Sequence, residues 1–217
     1  MCDENTIILK TVLIGESGVG KTSIISQFVE QTFEKDQHST IGGTFNTKSI
    51  KCSNGKIIKF EIWDTAGQER YRSVTKIFYK DVNVAILVYD ITNQSSFQEL
   101  KKYWVGQVKE SSPKNVIIAI IANKSDLFES ETVNEKDARQ FAKDINALFA
   151  LTSARNNVGV SDLFIEIAKN YIGASSELTI EEKDEIEEYK KIRRESLKIT
   201  KESQKKHINI RKKCCNV

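Results

Sequence analysis

The chain has 217 residues, enough for one domain with an appendage or two small domains, and its 39% hydrophobic content provides for a core. A formal net charge of +3 is too small to imply nucleic-acid binding by itself, and no apolar run approaches the roughly 20 residues of a membrane-spanning helix. The start holds Asp3 and Glu4 and only a short apolar run, unlike a signal peptide; Cys2, Cys52 and the adjacent Cys214 and Cys215 form neither a disulfide framework nor a zinc site, which favours a reducing, intracellular compartment.

In chain order, Ile7 to Ile14 predicts a buried strand that runs into Gly15-Glu16-Ser17-Gly18-Val19-Gly20-Lys21-Thr22. That stretch has the G-x-x-x-x-G-K-[ST] spacing of a phosphate-binding P-loop. Gly15, Gly18 and Gly20 allow tight turns and close approach, so that successive backbone N–H groups face phosphate oxygens. Lys21 is placed to reach the β and γ phosphates, and the Thr22 hydroxyl suits Mg²⁺. Ile24, Ile25 and Phe28 share one face of the next helix, whose N-terminus points its partial positive charge at the same phosphates. A chance glycine-rich turn is the bland alternative, and the flanking strand and helix weigh against it.

Gln31 to Gly43 is polar, has two consecutive glycines and no helical period, and predicts a loop. Phe45 to Cys52 predicts an edge strand, Asn54-Gly55 a hairpin turn, and Lys56 to Trp63 the partner strand, with Ile58, Phe60 and Ile62 on one face. Asp64 follows at the strand end, where a carboxylate near a P-loop can hold Mg²⁺ through a water. In Asp64-Thr65-Ala66-Gly67-Gln68, Gly67 leaves a backbone N–H free to approach a γ-phosphate and Gln68 is placed to orient an attacking water.

Val84 to Tyr89 and Val116 to Ile121 are near-continuous apolar runs, the pattern of parallel strands covered on both faces. Between them Phe97, Leu100, Tyr103, Trp104 and Val108 recur at helical spacing. Ala138, Phe141, Ala142 and Ile145 mark a later helix, Ala147 to Thr152 a last strand, and Leu163, Phe164, Ile167, Ala168 and Tyr171 a closing helix. The alternation argues for an α/β fold of P-loop NTPase type: a mostly parallel six-stranded sheet with one antiparallel strand and helices on both faces. Ligands of such sheets sit beyond the carboxyl ends of the strands.

Asn123-Lys124-Ser125-Asp126 occupies one of those ends. Guanine presents N1–H and its 2-amino group side by side, and one carboxylate accepts both, so Asp126 selects GTP or GDP over ATP. Asn123 and the stem of Lys124 would fix and cover the base, while Thr152-Ser153-Ala154 offers backbone N–H groups to the same pocket. Taken alone, Asn-Lys-x-Asp is an ordinary polar loop.

These signals in this order resemble the small Ras-like GTPases over roughly residues 6–173. The finer resemblance is to the Rab family, through Ser39-Thr40-Ile41-Gly42, Trp63 to Thr75 and Leu87-Val88-Tyr89-Asp90-Ile91-Thr92. It implies that Thr40 is the switch I threonine that ligates Mg²⁺ when a γ-phosphate is present, that Phe33 packs on the guanine, and that Phe45, Trp63 and Phe78 form a patch for partners. Ser17, Val19, Ser23 and Arg155 join the nucleotide-binding positions on the same basis. The metal set is then Thr22, Thr40 and Asp64, and the catalytic set Gln68, Lys21 and Gly67. Three departures stand out: Gly43-Thr44 where the family usually has Val-Asp, Gln37 where an aromatic is common, and Arg155 in place of a lysine. They bear on which effectors and exchange factors fit, not on nucleotide binding.

Beyond Gly173 an acidic block from Glu177 to Glu188 gives way to a basic one from Lys190 to Lys213. Thr179-x-x-Glu182 has the form of a capping box, so a solvated helix and a disordered linker are both open. The terminal Cys214-Cys215-Asn216-Val217 resembles a Rab prenylation site, in which both cysteines carry lipid; a C-a-a-X reading would modify Cys214 alone. The expected organisation is a GTPase domain at 1–173 and a charged tail at 174–217. The resemblance further implies a GTP hydrolase, slow without an activating protein, that acts as a membrane-cycling switch in vesicle traffic. Its partners would be an exchange factor, a GTPase-activating protein, a GDP-dissociation inhibitor or escort protein, and effectors at switch I and II. Nucleic acid is not among them. Its place would be the cytoplasmic face of an intracellular membrane, in exchange with the cytosol. The competing readings are a GTP-binding module that hardly hydrolyses, against which Gln68 argues, and a P-loop ATPase or small-molecule kinase, against which Asp126 argues.

Overall fold

The computed structural model describes residues 5–35, 37, 40, 43–52, 55–65, 78–173 and 178–179. Aliphatic and β-branched runs form the strands: β1 (Thr6–Ile14), β2 (Gly43–Cys52), β3 (Ile57–Thr65), β4 (Val84–Asp90), β5 (Ile117–Asn123) and β6 (Leu148–Leu151). A two-residue β7 (Leu178–Thr179) joins them, giving the order β6-β5-β4-β1-β3-β2-β7. Every pairing between the named strands is parallel except those of β2, which runs antiparallel to β3 and β7. The six expected strands and the single reversed one are therefore present. β7 takes the sheet beyond the expected boundary at Gly173, by pairing Thr179 with Lys51 and Leu178 with Cys52. Thr179 of the capping-box reading is thus in a strand, and Glu182 lies outside the described residues.

The helices are α1 (Lys21–Glu30), α2 (Gln94–Glu99), α3 (Val105–Ser111), α4 (Glu135–Asp144) and α5 (Val160–Ile172). The helix expected around Phe97 and Val108 is not one α-helix: a π-helical turn, Leu100–Trp104, separates α2 from α3. Sheet alternation sends two apolar sets to opposite faces. Leu9, Leu13, Phe60 and Ile86 pack with Phe28 of α1 and Phe164 of α5, whose rings stack at 3.6 Å. Val12, Ile14, Leu87 and Ile120 pack with Phe97, Leu100, Trp104 and Val108, and with Ala138 and Ala142 of α4. β4 is buried along its whole length, which is why it reads as an unbroken apolar run. Parallel pairing brings the carboxyl ends of β1, β3, β4, β5 and β6 to one edge, and the reversed β2 starts there, with Gly43 opposite Thr65.

Candidate functional site

The P-loop leaves β1 at Gly15, whose φ of +142° and whose position against β4 both require glycine: a Cβ there would lie 2.2 Å from the Val88 carbonyl oxygen. Gly20 caps α1 at φ +95°, and a Cβ on it would lie 2.4 Å from Asn123 Nδ2. Lys21 is buried and its Nζ donates to the carbonyls of Gly15 and Glu16, each at 2.9 Å. Burial lowers the Lys21 pKa to about 8, with the carboxylates of Asp64 and Glu16 opposing the shift. A polyphosphate beside it would favour the charged ammonium further.

Thr22, in the first turn of α1, donates from Oγ1 to Asp64 Oδ2 at 2.6 Å and shares a hydrogen bond with Thr40 Oγ1 at 2.9 Å. Thr40 also reaches Asp64 Oδ2, at 3.5 Å. Asp64 lies within β3, fully buried, and burial raises its pKa, partly offset by Thr22, Lys21 and Thr40. Its Oδ1 has no hydrogen-bond partner among the described residues. A buried carboxylate with one unsatisfied oxygen beside two hydroxyls is a hard, all-oxygen donor set, which fits Mg²⁺. Among the described residues no group of three or more His, Cys, Asp or Glu forms a self-sufficient metal centre, so such an ion would complete its shell with phosphate and water.

Across the cleft, Asn123 ends β5. Its Nδ2 donates to the Val19 carbonyl at 2.8 Å, and its Oδ1 accepts from Thr152 Oγ1 at 3.0 Å. Lys124 takes a left-handed φ of 65° and its Nζ pairs with Asp90 Oδ2 at 2.6 Å. The other Asp90 oxygen accepts from the Thr92 backbone and hydroxyl, which fixes the carboxylate. Asp126 lies in the first turn of the short 3₁₀ helix Ser125–Ser130; its Oδ1 accepts from Ser153 Oγ at 2.6 Å, and Arg155 lies 4.0 Å from its Oδ2.

Between these groups runs a cleft of about 340 Å³. Ser17, Gly18, Gly20, Lys21, Thr22 and Ser23 line one side with Phe33 and Thr40, and Asn123, Lys124, Asp126, Ala154 and Arg155 line the other. Gly15, Val19, Asp64 and Ser153 stand behind that lining and touch it through the bonds already given. Gly67 and Gln68, and the tail cysteines Cys214 and Cys215, lie outside the described residues.

Two supporting residues were not anticipated. Gln37 accepts from Ser23 Oγ at 2.8 Å and lines the cleft. Its only signal in the sequence was its departure from an aromatic. Asp90 stood within the quoted Leu87 to Thr92 segment, and nothing local tied it to Lys124, 34 positions on. Phe45, Trp63 and Phe78 do come together, with ring centroids 5.0 Å and 5.2 Å apart along the series. Gly43 lies close against this patch: a Cβ there would lie 3.0 Å from the end of the Phe78 ring, so a larger residue would need that ring to shift by a few tenths of an ångström.

A family model described as "Ras family" matches residues 10–173. The chain is 44% identical over 161 residues to Ras-related protein Rab-22A of Homo sapiens, which covers 74% of this chain and 82% of that protein. It is 45% identical, over the same length and shares, to Ras-related protein Rab-31 of Rattus norvegicus. With Rab-22A of Canis lupus familiaris it shares 42% over 168 residues, 77% of this chain and 86% of that one.

Proposed function

The chain belongs to the Ras family as a Rab small GTPase, a GTP hydrolase that serves as a switch in vesicle traffic, and on that premise we propose the roles of its own residues. GTP or GDP lies along the cleft. The P-loop amides from Ser17 to Ser23 and the Lys21 ammonium receive the phosphates; Asp126 accepts N1–H and the 2-amino group of guanine. Phe33 and the stems of Lys124 and Arg155 cover the base, with Ser153 and Ala154 beside it. The observation that carries this reading is the single cleft with Lys21 at one end and Asp126 at the other, joined by the Asn123–Val19 hydrogen bond.

Thr22, Thr40 and Asp64 would hold Mg²⁺, which when bound would neutralise negative charge developing on the phosphates. Gln68 orients the water that attacks the γ-phosphorus, the bond to the β–γ bridging oxygen breaks, and GDP and phosphate result. Gly67 N–H meets the γ-phosphate and reports its loss. None of the motifs supplies an arginine in cis, so turnover is slow until an activating protein brings that charge. An exchange factor and effectors engage the Phe45, Trp63 and Phe78 patch with the switch segments.

The tail from 174 onward carries prenyl groups on Cys214 and Cys215, reinforced by the basic residues before them, because stable anchoring takes two signals. A GDP-dissociation inhibitor or escort protein accompanies this form, which cycles between cytosol and the cytoplasmic face of an intracellular membrane. Competition of GTP against ATP, followed by single-turnover hydrolysis for Gln68→Leu, tests the site. Retained GTP with slowed hydrolysis is expected; ATP competing equally, or an unchanged rate, rejects it. The Cys214→Ser/Cys215→Ser variant should be cytosolic with normal GTP turnover, and its persistence on membranes would reject the anchor.

A further inference from the structure

The π turn at Leu100–Trp104 interrupts the helix that covers β4, and in it the Val105 N–H reaches back five residues to the Leu100 carbonyl. Such wide turns are rare, and they occur frequently at functional sites. The side chain at the end of this one is Trp104. Its ring is 1% exposed, within the apolar cluster that includes Ile14 and Leu87. A phenylalanine would satisfy that burial. The indole differs in its N–H, which only donates, and Nε1 donates to Glu16 Oε1 at 3.2 Å. Glu16 is the second residue of the P-loop, 88 positions earlier in the chain. Its own carbonyl, with that of Gly15, holds the Lys21 ammonium. The first turn of the loop is thus held from two directions: its main chain grips Lys21, and its one long side chain is gripped by the helix of the opposite layer. At Gly15 the backbone already lies against β4, so little else in that turn is adjustable.

We infer that Trp104 is a positioning residue for nucleotide binding, holding Glu16 through the indole N–H and thereby the pair of carbonyls that seat Lys21. Trp104 itself touches neither phosphate nor base. The inference rests on the cleft being the guanine-nucleotide site.

The test follows release of ribose-labelled fluorescent GDP from the full chain, chased by excess unlabelled GDP, with Tm measured in parallel. Trp104→Phe keeps an aromatic ring and removes the donor; Glu16→Ala removes the acceptor. Each should speed release about tenfold, the worth of one hydrogen bond to a charged group. Glu16→Gln keeps an acceptor oxygen and should stay within about threefold of wild type. The double variant Trp104→Phe/Glu16→Ala should release clearly more slowly than the product of the two single effects, because both singles remove the shared indole–carboxylate bond. A purely packing role for Trp104 predicts instead that the two effects multiply, to about a hundredfold, and that result overturns the inference. If Trp104→Phe does not fold, the Glu16 pair decides: fast release for alanine with recovery in glutamine upholds the bond, and unchanged release for alanine rejects it. Wild-type protein that fails to retain labelled GDP would reject the nucleotide site itself. Tight wild-type binding with multiplying variants rejects only the role of Trp104.

Discussion

At the base-reading end of the cleft each polar side chain is held by another group of the fold: Asn123 by Val19 and Thr152, Lys124 by Asp90, and Asp126 by Ser153. At the end beside the P-loop, Thr22, Thr40 and Asp64 hold chiefly one another, and Asp64 keeps a buried oxygen without a partner among the described residues. A buried polar group left unsatisfied is costly, and a carboxylate more so. On the proposed reading, the base reader would be preorganised by bonds that do not depend on which nucleotide is present. The phosphate end would be completed by what it binds, and would be the place where GTP and GDP are told apart.

The largest effect should come from removing the base reader. Asp126→Asn should weaken GTP and GDP alike by about a thousandfold or more, since a site built for specific hydrogen bonds rejects mismatches at that scale. Xanthine nucleotides should gain, because an amide donates to the carbonyl that replaces the 2-amino group. Equilibrium competition measures both, and wild-type GTP affinity in the variant would break the comparison.

Thr22→Asn tests the other end. A compact hydroxyl in a near-octahedral shell gives way to a bulkier amide, and GTP affinity with Mg²⁺ should fall about ten- to a hundredfold, GDP affinity less. Titration of both nucleotides with and without EDTA reads the difference. Parallel losses would show that this end is no more sensitive to the γ-phosphate than the base end.

Asp90→Asn sharpens the contrast at smaller amplitude. It takes the charge from the Lys124 pair and should weaken GTP and GDP equally, by about tenfold, without altering the single-turnover rate of bound GTP. A loss confined to GTP would contradict a base-side role. Smallest is Gln37→Ala, which removes one neutral hydrogen bond to Ser23 and should speed nucleotide release by about threefold. No change in release would mean that the Ser23–Gln37 bond does not hold the nucleotide.

Much of this was legible because β4 and β5 are buried on both faces and so run as near-continuous apolar stretches, while β3 shows the alternation of a strand with one buried face, and β1, β3 and β5 each run directly into a polar motif. What escaped was long-range or sub-periodic. The apolar spacing of Phe97, Leu100, Trp104 and Val108 fits an α-helix well enough to hide a π turn, since burial on one face tolerates a wider local pitch. β7 pairs only Leu178 and Thr179, too short to show alternation, and forms because the edge of β2 offers open hydrogen-bonding groups. Asp90 with Lys124 and Glu16 with Trp104 are contacts made by the fold, invisible to any local window.

Asn123 and the missing side chain of Gly20 have a consequence for how the protein opens. Because Gly20 has no Cβ, the Asn123 amide can enter beside it and bond to the main chain of Val19 while also receiving Thr152. Three loops distant in sequence share one buried fastening. Glycine-rich loops are ordinarily among the first parts of a chain to exchange their amide hydrogens, through openings that involve only themselves. Here the P-loop should open together with the β5 and β6 ends, so its amides should exchange at a rate close to theirs, and on the proposed reading an opening that releases the phosphates should release the base as well.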